Sequence, residues 1–171
     1  MAYDLARLSL LIVEPEEAMV TSWRRLLAVL KIRDVRFLPG AVQARTLLAG
    51  GDSAKPAFDI LICRWELPGE DGLAMVRRLR QDADSPAPFL PAIIVTGAIT
   101  RERIAQALQA GVHEILVPPL TPKAVELRLR EIVERPRKFV RSGDYFGPDR
   151  RRQVRADHAG PFRRADDRSK N

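Results

Sequence analysis

Asp59-Ile60-Leu61-Ile62-Cys63-Arg64-Trp65-Glu66-Leu67-Pro68-Gly69-Glu70-Asp71-Gly72 is the stretch whose reading decides the fold. Ile60 to Cys63 is a continuous apolar run of strand length. A run that does not alternate with polar residues marks a strand buried on both faces, as in a parallel sheet. Arg64 breaks the run, Pro68 and Gly69 turn the chain, and beyond Gly72 the residues Leu73, Val76 and Leu79 recur at helical spacing. Strand, turn and helix follow one another without a gap.

The same cassette repeats on both sides. Leu8 to Val13 and Ala92 to Val95 are further apolar runs, Ile115 to Val117 is a shorter one, and a short strand fits around Val35 to Leu38. Between them lie helical patterns. Met19, Trp23, Leu26, Leu27 and Leu30 share one face, Ala41 to Leu48 fits a second helix, and Ile104 and Leu108 follow Thr100. Val125, Leu129, Ile132 and Val133 form a last amphipathic stretch, with Thr121 as N-cap and Pro122 at the first helical position. The alternation predicts an α/β protein with a doubly wound, five-stranded parallel sheet and helices on both faces. In such a fold the functional groups gather at the carboxyl ends of the strands. Those ends are Glu14-Pro15, Arg64-Trp65, Thr96-Gly97 and Pro118-Pro119.

Charge divides the 171 residues unevenly. Residues 1–135 carry 18 basic and 17 acidic side chains, whereas residues 136–171 carry 11 basic and 5 acidic ones, so the tail holds +6 of the net +7. Apolar residues are sparse after Val140, and such a segment buries too little surface to offset its ordering entropy. The expected organisation is a domain over 1–135 and a basic Arg/Gly/Pro tail over 136–171, mostly irregular and disordered unless bound. Within the tail, Gly147-Pro148-Asp149-Arg150-Arg151 recurs as Gly160-Pro161-Phe162-Arg163-Arg164. Each copy would present arginines after a bend, beside Tyr145, Phe146 or Phe162. Arg150, Arg151, Arg152, Arg163 and Arg164 with those three aromatics are the candidate binding residues. They suit an arm that wraps a partner protein. The alternative is an adaptor whose arginines contact RNA or DNA phosphates, although five interspersed aspartates weigh against a pure polyanion binder.

The remaining signals are mostly exclusions. A single cysteine, Cys63, rules out an internal disulfide and fits a reducing cytoplasm. The longest early apolar run ends at Glu14, too short for a membrane span. No glycine-rich phosphate loop, nucleophile elbow or zinc-binding helix is present, so neither an enzyme, a cofactor nor a metal site is expected. His113 and His158 read as solvated side chains. Trp65 reads equally as an exposed anchor or as a cover over the strand ends.

The order of elements and the Leu67-Pro68-Gly69-Glu70-Asp71-Gly72 loop after the third strand resemble the CheY-like receiver domain of bacterial response regulators. Thr96 after the fourth strand and a proline turn after the fifth extend the resemblance across residues 8–135. It implies a flavodoxin-like fold and a phosphorylation pocket of two acids, an aspartate acceptor, a Thr or Ser, and a Lys, with Mg²⁺ held by the acids. This chain departs from that set. Glu14 fills the first acidic position and Pro15 the second, Arg64 stands at the acceptor position, and Pro118 stands in place of the lysine. Thr96 is kept. Ile115 stands at the switch position, where an aliphatic side chain cannot swing as an aromatic ring does. The resemblance therefore implies a degenerate, non-phosphorylatable, stand-alone regulator that works in bacterial signal transduction by protein–protein interaction. Its docking surfaces would be the tail and the face made by the fourth helix, fifth strand and fifth helix. Arg64 can pair with Glu14 across adjacent strand ends, or it can point to solvent.

Overall fold

A computed structural model describes residues 2–50 and 57–151. After a short turn at Leu5–Arg7, the chain alternates β1 (Ser9–Val13), α1 (Glu17–Val29), β2 (Asp34–Leu38), α2 (Ala41–Ala49), β3 (Ile60–Arg64), α3 (Gly72–Gln81), β4 (Ala92–Val95), α4 (Arg101–Ala110), β5 (Glu114–Leu116) and α5 (Pro122–Glu134). The five strands form one parallel sheet in the order β2-β1-β3-β4-β5. The order reverses at β1, as a doubly wound sheet requires.

Alternate residues of each strand feed two cores. Leu11, Val13, Leu61, Cys63 and Ile94 pack beneath α2, α3 and α4, with Leu73, Val76 and Ala107. Leu10, Ile12, Ile60, Ile62 and Ile93 pack on the other face beneath α1 and α5, with Trp23 and Leu129. Because both faces are covered, β1, β3 and β4 are apolar without alternation, whereas the edge strand β2 keeps Asp34 and Arg36 exposed. Caps set the helix starts: the Asp71, Thr100 and Thr121 side chains accept from the Ala74, Arg103 and Ala124 N–H groups at 2.6, 3.1 and 3.2 Å. Gly72 is required by space, since a Cβ there would lie 2.1 Å from the Arg64 carbonyl oxygen. That close approach brings the start of α3 against the end of β3.

The tail departs from expectation over its first part. Residues 136–151 are not irregular: β6 (Phe139–Ser142) and β7 (Tyr145–Pro148) form an antiparallel hairpin. β7 rests against α3 and α4, so the boundary after residue 135 does not separate packed from unpacked chain. The physical reason is that three of this segment's four apolar residues, Phe139, Tyr145 and Phe146, are aromatic, and each ring buries far more surface than a single aliphatic side chain. Tyr145 is buried and donates its hydroxyl to the Pro148 carbonyl at 2.7 Å. Gly147 lies against Gly111, where a Cβ would meet the Gly111 Cα at 2.9 Å. Phe139, Phe146 and Phe89 form an aromatic cluster with centroids 5.2–5.5 Å apart, Phe89 standing edge-to-face to the other two rings.

The hairpin also explains His113. Expected in solvent, it is buried, with Phe139 beside its ring at 5.5 Å. Arg80, near the end of α3, is buried too and unforeseen. It donates to the carbonyls of Pro88, Leu90 and Gly111 at 2.7–3.2 Å and lies 5.1 Å from the centre of the Phe139 ring.

Candidate functional site

Glu14, Arg64, Thr96 and the Pro118-Pro119 turn stand at the carboxyl ends of β1, β3, β4 and β5. The register places them there: Val13 lies opposite Cys63, Arg64 opposite Val95, and Val95 opposite Leu116. The Pro118–Pro119 peptide bond is cis.

One guanidinium organises the β1 side of this cluster. Arg64 Nη1 donates to Glu14 Oε1 at 3.0 Å and to Glu16 Oε1 at 2.9 Å. Glu14 is the buried partner, with a side chain only 2% exposed, and the same oxygen accepts the Glu16 N–H at 3.0 Å. Burial works against the Arg64 charge, but the hydrogen bonds to Glu16 and Glu14 outweigh it and raise its pKa. Arg64 thus faces the carboxylates, not the solvent. Glu16 is the residue the sequence reading missed. It lies two positions beyond Glu14 with Pro15 between them, and that spacing within one turn was the available signal.

A second network lies on the β4 side. The Thr96 hydroxyl donates to Glu66 Oε1 at 3.2 Å and accepts from the Ala98 N–H at 3.2 Å. Glu66 also receives Arg103 Nη2 at 2.6 Å, from the first turn of α4. The Arg103 guanidinium stacks 4.0 Å from the Trp65 ring centre. Trp65 is buried and covers the strand ends, closing the choice left open for it. Ile115 is half-buried in β5 against the core beneath α3 and α4. Cys63 lies wholly inside, its thiol pKa pushed up by burial and then by Asp71 and Glu14, which makes it inert.

The tail candidates divide. Tyr145 and Phe146 pack against their own domain. Arg150 donates to Gln109 Oε1 at 2.9 Å and lies 3.8 Å from the Tyr145 ring centre, while Arg151 is exposed. Arg152, Phe162, Arg163, Arg164 and His158 lie outside the described residues. Among the described residues no group of three or more metal-ligating side chains exists, and no helix is long and apolar enough to cross a membrane.

Comparison with known proteins agrees with this fold. The chemotaxis protein CheY-3 of Vibrio cholerae is 30% identical over 128 residues, which is 75% of this chain and 93% of that protein. CheY of Pseudomonas aeruginosa is 36% identical over 78 residues, 46% of this chain and 61% of that one. Among solved structures, a response regulator from Chloroflexus aurantiacus superposes with a TM-score of 0.63 at 25% identity, over 75% of this chain and 98% of that one. The signal receiver domain of an HD domain-containing protein from Pseudomonas fluorescens superposes with a TM-score of 0.62 at 28% identity, over 75% and 95%. With residues 10–130 matching the response regulator receiver domain, this chain belongs to that family.

Proposed function

We propose that this chain is a receiver-domain regulator that no longer accepts a phosphoryl group and acts in bacterial signalling by binding partner proteins. The observation that carries the reading is Arg64. It stands at the acceptor position and holds the Glu14 carboxylate at 3.0 Å. A guanidinium has no oxygen on which to form an acyl phosphate. Magnesium, which the family implies, does not fit these residues either. Glu14 and Glu16, the acids within reach, are both held by the cation, and a fixed positive charge opposes a second one.

Partner binding is supported by the surface. Ile104, Val117 and Leu127, on α4, just past β5 and on α5, are 39%, 42% and 61% exposed. They lie on or next to the fourth helix, fifth strand and fifth helix, the face that the family resemblance assigns to partner docking. The nucleic-acid alternative loses part of its basis. Of the tail's +6, half lies in residues 136–151, where Arg137 is paired with Glu114 and Arg150 is bonded to Gln109.

Incubation with acetyl phosphate and Mg²⁺, followed by intact mass measurement, tests the reading. No phosphoryl gain is expected for the wild type or for Arg64→Asp, because Pro15 and Pro118 also replace required groups. A hydroxylamine-labile gain in the wild type would overturn the proposal.

A further inference from the structure

The β6–β7 hairpin has one covered edge and one open one. β7 lies against α3 and α4, whereas β6 pairs with β7 alone among the described residues. The turn fixes which backbone groups face outward. Ser142 and Tyr145 close a two-residue loop, so in an antiparallel ladder they form a hydrogen-bonded pair, as then do Val140–Gly147 and Lys138–Asp149. The Asp149 N–H donates to the Lys138 carbonyl at 2.7 Å in agreement. Phe139 and Arg141 consequently turn their N–H and C=O groups away from β7. An open edge of this kind is a template for another extended chain.

The side chains beside that edge define the partner's chemistry. Phe139 and Arg141 share a face with Phe146, and Phe89 stands against both rings at 5.2 and 5.4 Å while remaining 61% exposed. The Arg141 guanidinium lies 4.7 Å from the Phe146 ring centre, and Lys138 is exposed nearby. Asp144, at the turn, is the one acid of residues 138–148. A second copy is a poor occupant, since pairing β6 with β6 brings two cationic strips within about a Debye length, ~10 Å, of each other. A nucleic acid would answer the charge but has no alternating amide donors and acceptors to satisfy the edge.

We propose that the outer edge of β6 is the docking site for an extended acidic segment of a partner protein. The segment adds as a third strand, sets a carboxylate against Arg141, and places one apolar side chain on Phe89, which lies on the same face as Arg141. This rests on the reading of the chain as a protein-binding regulator and names where and what it binds.

The test uses the full chain and a fluorescein-labelled peptide that alternates glutamate and valine around a central phenylalanine, followed by anisotropy. Saturable binding is expected, weakened about tenfold or more by Arg141→Glu. Methylating alternate peptide nitrogens, which blocks strand addition and leaves the charge intact, is expected to weaken it equally. Arg141→Pro removes one outward N–H that β7 does not use and is expected to abolish binding. Absence of saturable binding, indifference to nitrogen methylation, or tighter binding of oligothymidylate would each overturn the proposal, as would a dimer in sedimentation that Arg141→Pro dissolves. The two failures are separable. A phosphoryl gain strikes the regulator reading and leaves the peptide result standing, whereas lost peptide binding without a phosphoryl gain removes only the β6 assignment.

Discussion

Two arginines at opposite ends of the sheet solve the same problem in different ways. Arg64, at the carboxyl end of β3, is 27% exposed and is held by two carboxylates, which raise its pKa. Arg80 meets the loop before β4 and the residue that ends α4, at the opposite end of the strands. It is 3% exposed and makes no carboxylate contact among the described residues; its partners are carbonyls and the Phe139 ring. Burial pulls its pKa down to about 10, with Tyr145 opposing the shift only in part. At the strand ends the cation is matched by carboxylates, and water can still reach it. At the hairpin end a cation is a structural rivet, with dipoles in place of counter-charge and Gly111 presenting the negative end of α4.

The largest effect that follows is on Arg80. Arg80→Ala leaves the Pro88, Leu90 and Gly111 carbonyls without their donor and opens a void beneath Phe139. The expected cost is about 3 kcal/mol or more, from unsatisfied buried acceptors and lost packing. Urea unfolding measures it, and amide exchange over residues 139–148 is expected to accelerate together with global loss. A variant as stable as the wild type would mean that the hairpin is not fastened through Arg80.

His113 supplies the next effect, in its pH dependence. It is 7% exposed, and its Nδ1 accepts the Ala92 N–H at 3.3 Å, so the neutral ring carries its proton on Nε2. Burial, then Arg80 and Arg137, push its pKa down to about 3. In the unfolded chain the same group titrates near ~6.5. The unfolded state therefore gains a proton that the native state refuses, and stability falls as pH drops from about 6.5 toward 3, by up to ~1.4 kcal/mol per unit. His113→Gln, whose amide oxygen can still accept from Ala92, is expected to flatten this slope by about 2 kcal/mol at pH 5 relative to pH 7. Parallel profiles for the two proteins would show that His113 is not held neutral.

Arg64→Ala is expected to cost less, about 1–2 kcal/mol. Removing it leaves the Glu14 carboxylate buried, but that oxygen keeps the Glu16 N–H, and water replaces part of a half-open guanidinium. Glu16→Ala is expected to change the melting temperature hardly at all, because Glu16 is 57% exposed. If Arg64→Ala proved as damaging as Arg80→Ala, the strand-end cluster would be as much a structural centre as the hairpin end.

The unequal legibility of the two ends has a physical cause. The parallel sheet was readable because Ile60 to Cys63 and its sister runs are apolar on both faces, and because Thr100, Thr121 and Pro122 mark their helix starts locally. The strand-end residues were readable because each follows its strand directly. The hairpin was not, since its stability lies in contacts made across long separations: Arg80 with Phe139, Gly111 with Gly147, Phe89 with Phe146. A count of apolar residues undervalued three aromatic rings that converge only after the sheet has formed. Gly143-Asp144, a two-residue turn between short β-prone stretches, was the local signal that pointed the other way.

The smallest effect tests the β4 side of the strand ends. Thr96→Val keeps the shape and removes the hydroxyl that donates to Glu66 and accepts from Ala98. Thr96 itself is buried at 2% exposure, but Glu66 is 51% exposed and is held independently by Arg103. The loss is therefore expected to stay near ~1 kcal/mol, about one net hydrogen bond. Thr96→Ser, which retains the hydroxyl, should recover most of it. Trp65 emission reports on the same network, because Arg103 stacks on that ring while bonding to Glu66. A small shift is expected in Thr96→Val, and a larger one in Arg103→Lys, which keeps the charge and loses the planar stack. Were Thr96→Val to cost as much as Arg80→Ala, the hydroxyl would be anchoring α4 through Glu66 and Arg103. The contrast between a replaceable strand-end cluster and a structural rivet beneath the hairpin would then fail at its weakest point.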